Sequence, residues 1–422
     1  MRRIRGIVRI RSLDATGILL VSQGLINVGL GTFSVIYNLY LSALGRPLAY
    51  IGAFNALSIL ALGMSAMLMG ALARWISHKQ ALCVGILFMI VVQIVLAVGT
   101  APGLLMVGGV VWGMAQALCV VPVGPLLSEN VNRTERAAVF GRLYATWALA
   151  TVVGSILGGV LPGVLAALFA DGSAHGPAAY RDALLATTVI AAFAGPLLLI
   201  LPSSGADDSV ESTPDAPVGR GWALHTVRRT ITSVAVTMGL YSFAAGLVSP
   251  FFNVYFEEQL HLATSLIGAL FAGGALLSVV GSLYGPRIGR RFGSVNAVAV
   301  VRLALAPCLI ALALGSVVPV LAMVGFLARY ALVFMSGALD SHFTLSAVPA
   351  RTRALAYGVR TGTYNLCWAL GAWGAGLLID RVGYPAMFLA SGAASVLASL
   401  LFFGLFSLPG GERRSSALSK PG

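Results

Sequence analysis

A guanidinium set inside an apolar helix is the most chemically loaded feature of this 422-residue sequence. Arg329 lies in VGFLARYALVFMSG, at a depth where a charge costs at least about 2.5 kcal/mol on insertion scales. Gly325, Arg329, Ser336 and Asp340 recur at helical spacing and share one face. A fixed cation there answers a carboxylate, a phosphate or a carbonyl, brought by a solute or supplied by the protein. Tyr364 and Asn365, in a neighbouring apolar run, are the internal candidates. Asp340 is about 16 Å away along a helix, too far for direct pairing.

Amides provide the second pattern. IYNLY (36–40) and FFNVY (251–255) each place an Asn two residues before a Tyr. Gln23, Asn27, Gly31, Ser34 and Asn38 fall on one helix face, and Ser242, Gly246, Ser249 and Asn253 repeat the pattern. A polar stripe in a membrane helix turns from lipid toward a neighbouring helix or water. The glycines are expected to serve close packing. Asn27, Asn38 and Asn253 are expected to line a polar cavity. Trp112 takes the position equivalent to Arg329 in the other half of the sequence, with Gln116 one turn on, and both join the candidate cavity set.

The elements that carry these residues are membrane helices. The chain is 58% hydrophobic and 10% charged, with mean hydropathy +0.91. Apolar runs long enough to cross a hydrocarbon core fall at 16–44, 49–73, 80–99, 102–127, 137–165, 180–201, 231–256, 263–284, 295–315, 319–343, 354–378 and 384–407. The first run lacks a small-residue cleavage site and leads straight into further spans, so it is expected to stay in the chain. Cys83, Cys119, Cys308 and Cys367 stand singly, without metal-ligand or disulfide spacing, and read as packing residues. No cofactor or metal is expected. No nucleophile, base and orienter can be assembled inside the spans, which argues against an enzyme.

Basic residues set the expected orientation. With both termini in the cytoplasm, most of the 27 Lys and Arg residues fall in inner loops, including Arg302 and Arg360. Arg46, Arg181 and Arg381 lie outside and Arg329 in mid-span. The net charge of +13 then reflects topology and contact with anionic lipid. Nucleic acid is not an expected partner, because the charges are dealt out loop by loop.

The segment LPSSGADDSVESTPDAPVGRGW is polar and rich in Pro and Gly, so 202–221 is expected to be a flexible cytoplasmic linker. On either side of it the chain repeats. One offset superposes Pro102 on Pro319, Met106 on Met323, Gly108 on Gly325, Arg136 on Arg353, Gly141 on Gly358, Gly154 on Gly371 and Gly159 on Gly376. The expected fold is therefore an all-α integral membrane protein. Twelve transmembrane helices form two pseudo-symmetric six-helix bundles, 1–201 and 222–422, the second ending in a short tail.

With these features the sequence resembles the major facilitator superfamily of secondary transporters. GALARWISHK (70–79) is similar to the loop that follows the family's second span. Gly70, Leu72, Ala73 and Lys79 are kept, while Arg74 stands where the family has Asp and Ser77 where it has a second Gly. YGPRIGRRFG (284–293) keeps Arg287, Gly289, Arg290 and Arg291, with Pro286 at the Asp position. The family's gate thus lacks its usual carboxylate in both copies. Glu129 and Asp340, each followed by an arginine-bearing loop, are the expected replacements, in a gating set with Arg74, Arg136, Arg287 and Arg353.

The resemblance implies spans one, four, seven and ten around a cavity, and transport of a small organic solute by alternating access. The net charge of Arg329 leaves room for an anionic one. Drug or metabolite efflux is the alternative within transport, weakened by the absence of the Gly-Pro pair typical of drug–proton antiporters from GSILGGVLPG (154–163). A non-transporting receptor or scaffold is the alternative outside it. The expected partners are the solute and membrane lipid, with a coupling ion left open, and the chain is expected to act as a monomer.

Overall fold

The computed structural model describes residues 2–72, 75–131, 135–169, 176–200, 224–349 and 352–407, nearly all helical. The linker expected at 202–221, Arg74 and the side chain of Glu129 lie outside the described residues. Eleven helices among the described residues are long and apolar enough to cross a membrane. They are α1 (Thr16–Ala43), α2 (Leu48–Met69), α3 (His78–Val98), α4 (Pro102–Ser128), α5 (Ala138–Phe169), α6 (Pro177–Ile200), α7 (Val227–Glu258), α8 (Thr264–Phe292), α9 (Ser294–Ala313), α10 (Pro319–Ser346) and α12 (Tyr384–Phe406). Between the last two runs α11 (Arg353–Val382), 30 residues long, has the length for a twelfth crossing but a more polar composition, with Arg360, Thr363, Tyr364 and Asn365. The apolar runs of the sequence are these helices, with ends shifted by a few residues.

Local sequence explains where helices begin and break. Pro102, Pro177, Pro319 and Pro385 occupy the first turns of α4, α6, α10 and α12, where a missing N–H costs nothing. α3 opens on a capping box: Ser77 Oγ accepts from Gln80 N, and Gln80 Oε1 accepts from Ser77 N. Pro250 interrupts α7 with a 3-10 turn, Ser249–Phe251, before the helix resumes at Phe252. Large apolar side chains such as Met67, Leu168, Phe193 and Val320 face outward, as lipid contact requires.

Arg302 and Arg360 correct the charge reading. Both were expected in cytoplasmic loops, yet both are buried inside helices, Arg302 in α9 and Arg360 in α11. Arg302 can stay there because Asp340 pairs with it. Arg360 lies over the ring of Tyr357.

The chain forms two compact units. The first comprises Met1–Arg46, Leu57–Val210 and Phe256–Gly273, and the second comprises Pro47–Ala56, Glu211–Tyr255 and Gly274–Gly422. Each is closed by the same contacts. In the first unit α1 and α5 approach until a Cβ on Gly154 would collide with the carbonyl of Val28 and one on Gly31 would meet the Thr151 carbonyl at 2.7 Å. In the second, α7 and α11 repeat this: a Cβ on Gly371 would collide with the carbonyl of Phe243, and one on Gly246 with that of Trp368. Gly159 lies against Gly268 of α8 in the first unit, and Gly376 against Leu48 and Ala49 of α2 in the second. The tyrosines of the two Asn-x-Tyr motifs complete the correspondence. Tyr40 Oη donates to Ala97 O at 2.7 Å, tying α1 to α3, and Tyr255 Oη donates to Leu312 O at 2.6 Å, tying α7 to α9.

Candidate functional site

The polar face of α10 turns into the second unit. Gly325 packs on α9, where a Cβ would come within 2.8 Å of Cys308 O, and this close approach brings the following turns against the same helix. Arg329 is 5% exposed. Its Nη2 donates to Ser249 Oγ at 3.4 Å, a long bond, and its guanidinium carbon lies 4.9 Å from the centroid of Phe252. The break of α7 at Pro250 presents both groups. Among the described residues no carboxylate pairs with Arg329, and its hydrogen bond goes to Ser249 rather than to Tyr364 or Asn365.

Beside Arg329 is a small cavity lined by Tyr241, Ala244 and Ala245 of α7, Leu305 and Leu309 of α9, Val333 of α10, and Ser391 and Ser395 of α12. It has room for about one water-sized guest. Ser391 Oγ donates to Ala244 O at 2.6 Å and fixes α12 to α7 along its wall. The Tyr241 hydroxyl is buried without a hydrogen-bond partner.

Further along α10, Asp340 is 4% exposed and Arg302 1%. Arg302 Nη2 donates to both carboxylate oxygens at 2.9 Å, and Ser336 Oγ donates to Oδ2 at 3.1 Å. The Arg302 guanidinium carbon lies 4.4 Å from the Tyr241 ring centroid and 5.2 Å from that of Phe402, while Nε and Nη1 have no partner. One charge cancels the other, whereas Arg329 and Arg360 have no carboxylate partner among the described residues.

In the first unit an amide and aromatic cluster occupies the stripe of α1. Trp147 Nε1 donates to Gln23 Oε1 at 3.1 Å, Gln23 Nε2 to Cys119 O at 3.4 Å, and Asn27 Nδ2 to Gln23 O at 2.8 Å. Trp112 is buried, stacked on Phe33 at 4.1 Å, and Gln116 is half-buried. Asn38 is buried, and so is Asn253, whose Oδ1 accepts from Val254 N at 3.0 Å. Tyr364 and Asn365 are half-buried, and the Tyr364 carbonyl accepts from Ser242 Oγ.

The expected gating residues are scattered. Asp340 pairs inside its helix layer with Arg302. Arg136 donates to the carbonyls of Ser128, at 2.9 Å, and Val131, at 3.4 Å, and so caps its own loop. Arg287 is exposed over the Tyr284 ring, and Arg353 is exposed at the start of α11. Arg302 and Tyr241 were missed by sequence reasoning. Arg302 had a signal, since it falls well inside the apolar run 295–315, whereas Tyr241 had none beyond its helical register.

Comparison with known proteins adds a family and a fold. The sequence profile of the Major Facilitator Superfamily matches residues 19–347. Curated proteins return no match. Among solved structures, the nucleoside transporter NupG superposes with a TM-score of 0.74 at 16% identity, over 94% of this chain and 99% of that one. A bacterial homologue of the human lysosomal transporter Spinster, inward-facing and unoccupied, gives 0.70 at 13% identity, over 97% and 99%. The human organic anion transporter MFSD10 gives 0.60 at 15%, over 93% and 99%. At these identities the likeness concerns the fold.

Proposed function

The chain belongs to the Major Facilitator Superfamily and is a multi-pass membrane transporter, and from that premise we propose that it carries a small, negatively charged organic solute by alternating access. The observation that supports this reading is Arg329, a buried guanidinium whose contacts among the described residues are one long hydrogen bond and one aromatic face. A guanidinium offers five N–H donors, and leaving most of them unanswered in a membrane-embedded bundle is costly unless a ligand supplies acceptors. The adjoining cavity is the size of one carboxylate oxygen. The charged end of a solute enters there, and its remainder meets Asn253, Tyr364 and Asn365 of the same unit.

In this reading the halves 1–201 and 222–422, joined by 202–221, expose the site to one side at a time. Both termini face the cytoplasm, the protein works as a monomer in lipid, and Glu129, Arg74, Arg287 and Arg353 govern the inner opening. The test is uptake by proteoliposomes of a panel of labelled carboxylates, phosphate esters, and neutral sugars and nucleosides, with and without ion gradients. Saturable uptake of an anion, lost on Arg329→Gln, is the expected result. Saturable uptake confined to neutral solutes would overturn the anionic assignment.

A further inference from the structure

The last turn of α7 carries two adjacent carboxylates that reach different helices. Glu257 and Glu258, both half-buried, stand about 100° apart around the helix axis. Glu257 Oε1 accepts from Tyr180 Oη of α6 at 2.6 Å, and Glu258 Oε1 accepts from Ser42 Oγ, one residue before the end of α1, at 2.7 Å. Tyr180 is fully buried and gives its one proton to Glu257, so at 3.4 Å it accepts from the hydroxyl of Thr264, the first residue of α8. Phe256–Glu258 thus belongs to the first unit, whereas α7 up to Tyr255 belongs to the second.

The segment is fixed on either side. Before it, Pro250 breaks α7, and Tyr255 Oη is bonded to Leu312 O. After it, Leu262 N donates to Phe256 O at 3.0 Å, and His261 takes a left-handed φ of 52° that a non-glycine residue keeps only where its surroundings impose it. Ser249 and Phe252, at the base of the same stretch, are the residues that touch Arg329.

We propose that Glu257 and Glu258 are gating residues of transport, which latch the end of α7 to α6 and α1 and keep the opening at that end of the bundle shut. With cytoplasmic termini this is the outer end. Closure by apolar packing alone would have to bare that surface to water each time it parted. A carboxylate instead exchanges its hydroxyl partner for water, so the latch is firm while Tyr180 stays dry and releases once it is wetted. The inference rests on alternating access in the proposed function, but neither on Arg329 nor on the charge of the solute.

The test places one cysteine by Asn38→Cys, a turn below Ser42 and 8% exposed, in a chain otherwise without cysteine, and adds a membrane-impermeant thiol reagent to intact cells. Glu257→Ala and Tyr180→Phe should each raise its rate of reaction about tenfold, as loss of a hydrogen bond to a charged group implies. Glu257→Gln, which retains an acceptor for Tyr180, should raise it less. Ser42→Ala, which removes the second bond, carries the test if Glu257→Ala does not fold. The control is a chain whose single cysteine is native Cys119, 0% exposed, which should stay unreactive in every variant. Unchanged reaction at position 38 in all the variants, or an equal rise at Cys119, would overturn the latch. Saturable anion uptake with unchanged reaction would discard the latch and keep the proposed function, whereas increased reaction with uptake confined to neutral solutes would keep the latch and discard the anionic assignment.

Discussion

Arg302 holds Asp340 through a single nitrogen, Nη2, 2.9 Å from each carboxylate oxygen, with both side chains withdrawn from solvent. The pair joins α9 to α10 and leaves Nε and Nη1 of Arg302 facing aromatic rings instead of acceptors. It is therefore expected to matter most when half of it is removed.

Asp340→Asn leaves a buried guanidinium without its counter-charge and should destabilise the protein by about 3–5 kcal/mol. Arg302→Met combined with Asp340→Leu removes both charges and should restore most of that loss. Thermal unfolding of the singles and the double gives the coupling directly. Additive losses would mean that the two side chains act independently.

Arg329 separates charge from shape. Arg329→Lys keeps the charge but loses the planar fork, and Arg329→Gln keeps polarity but loses the charge. Transport normalised to monodisperse protein should fall by roughly tenfold or more in the Gln variant, and the Lys variant should show mainly a raised KM. Unchanged normalised transport by the Gln variant would take Arg329 out of the site.

The duplicated glycine contacts make a symmetry prediction. Gly154→Ala and Gly371→Ala each put a methyl group against a backbone carbonyl, at Val28 and Phe243 respectively. Both should lower stability, by about 1–3 kcal/mol for overpacking of this kind. A large loss at one site and none at the other would show that the two units are not held by equivalent packing.

Orientation is tested by labelling. In a background without Cys83, Cys119, Cys308 and Cys367, a cysteine at exposed Trp75, between α2 and α3, should react only from the cytoplasmic side. One at exposed Ala101, between α3 and α4, should react only from outside. The reverse pattern would invert the topology.

Span positions and the internal repeat were legible because each rests on a simple periodic demand: apolar length for the bilayer, and matched glycines where backbones meet. Gly154 and Gly371 aligned in sequence and do the same work in space. The partners of polar side chains were less legible. A loop-borne gate is the expectation for Asp340, but its register places it opposite α9, where Arg302 lies at depth inside the helix instead of in a basic loop. The Asn-x-Tyr motif drew attention through its amide, while its tyrosine makes the cross-helix bond to Ala97 or Leu312, a backbone acceptor that no side-chain pattern can reveal.

Three helices belong to both compact units: the boundary crosses α2 between Ala56 and Leu57, α7 between Tyr255 and Phe256, and α8 between Gly273 and Gly274. Two adjacent residues without side chains are where a helix bends at least cost. At this pair the missing side chain also serves packing: a Cβ on Gly274 would come within 2.9 Å of the Tyr330 ring, so the glycine is what lets α10 close onto α8 there.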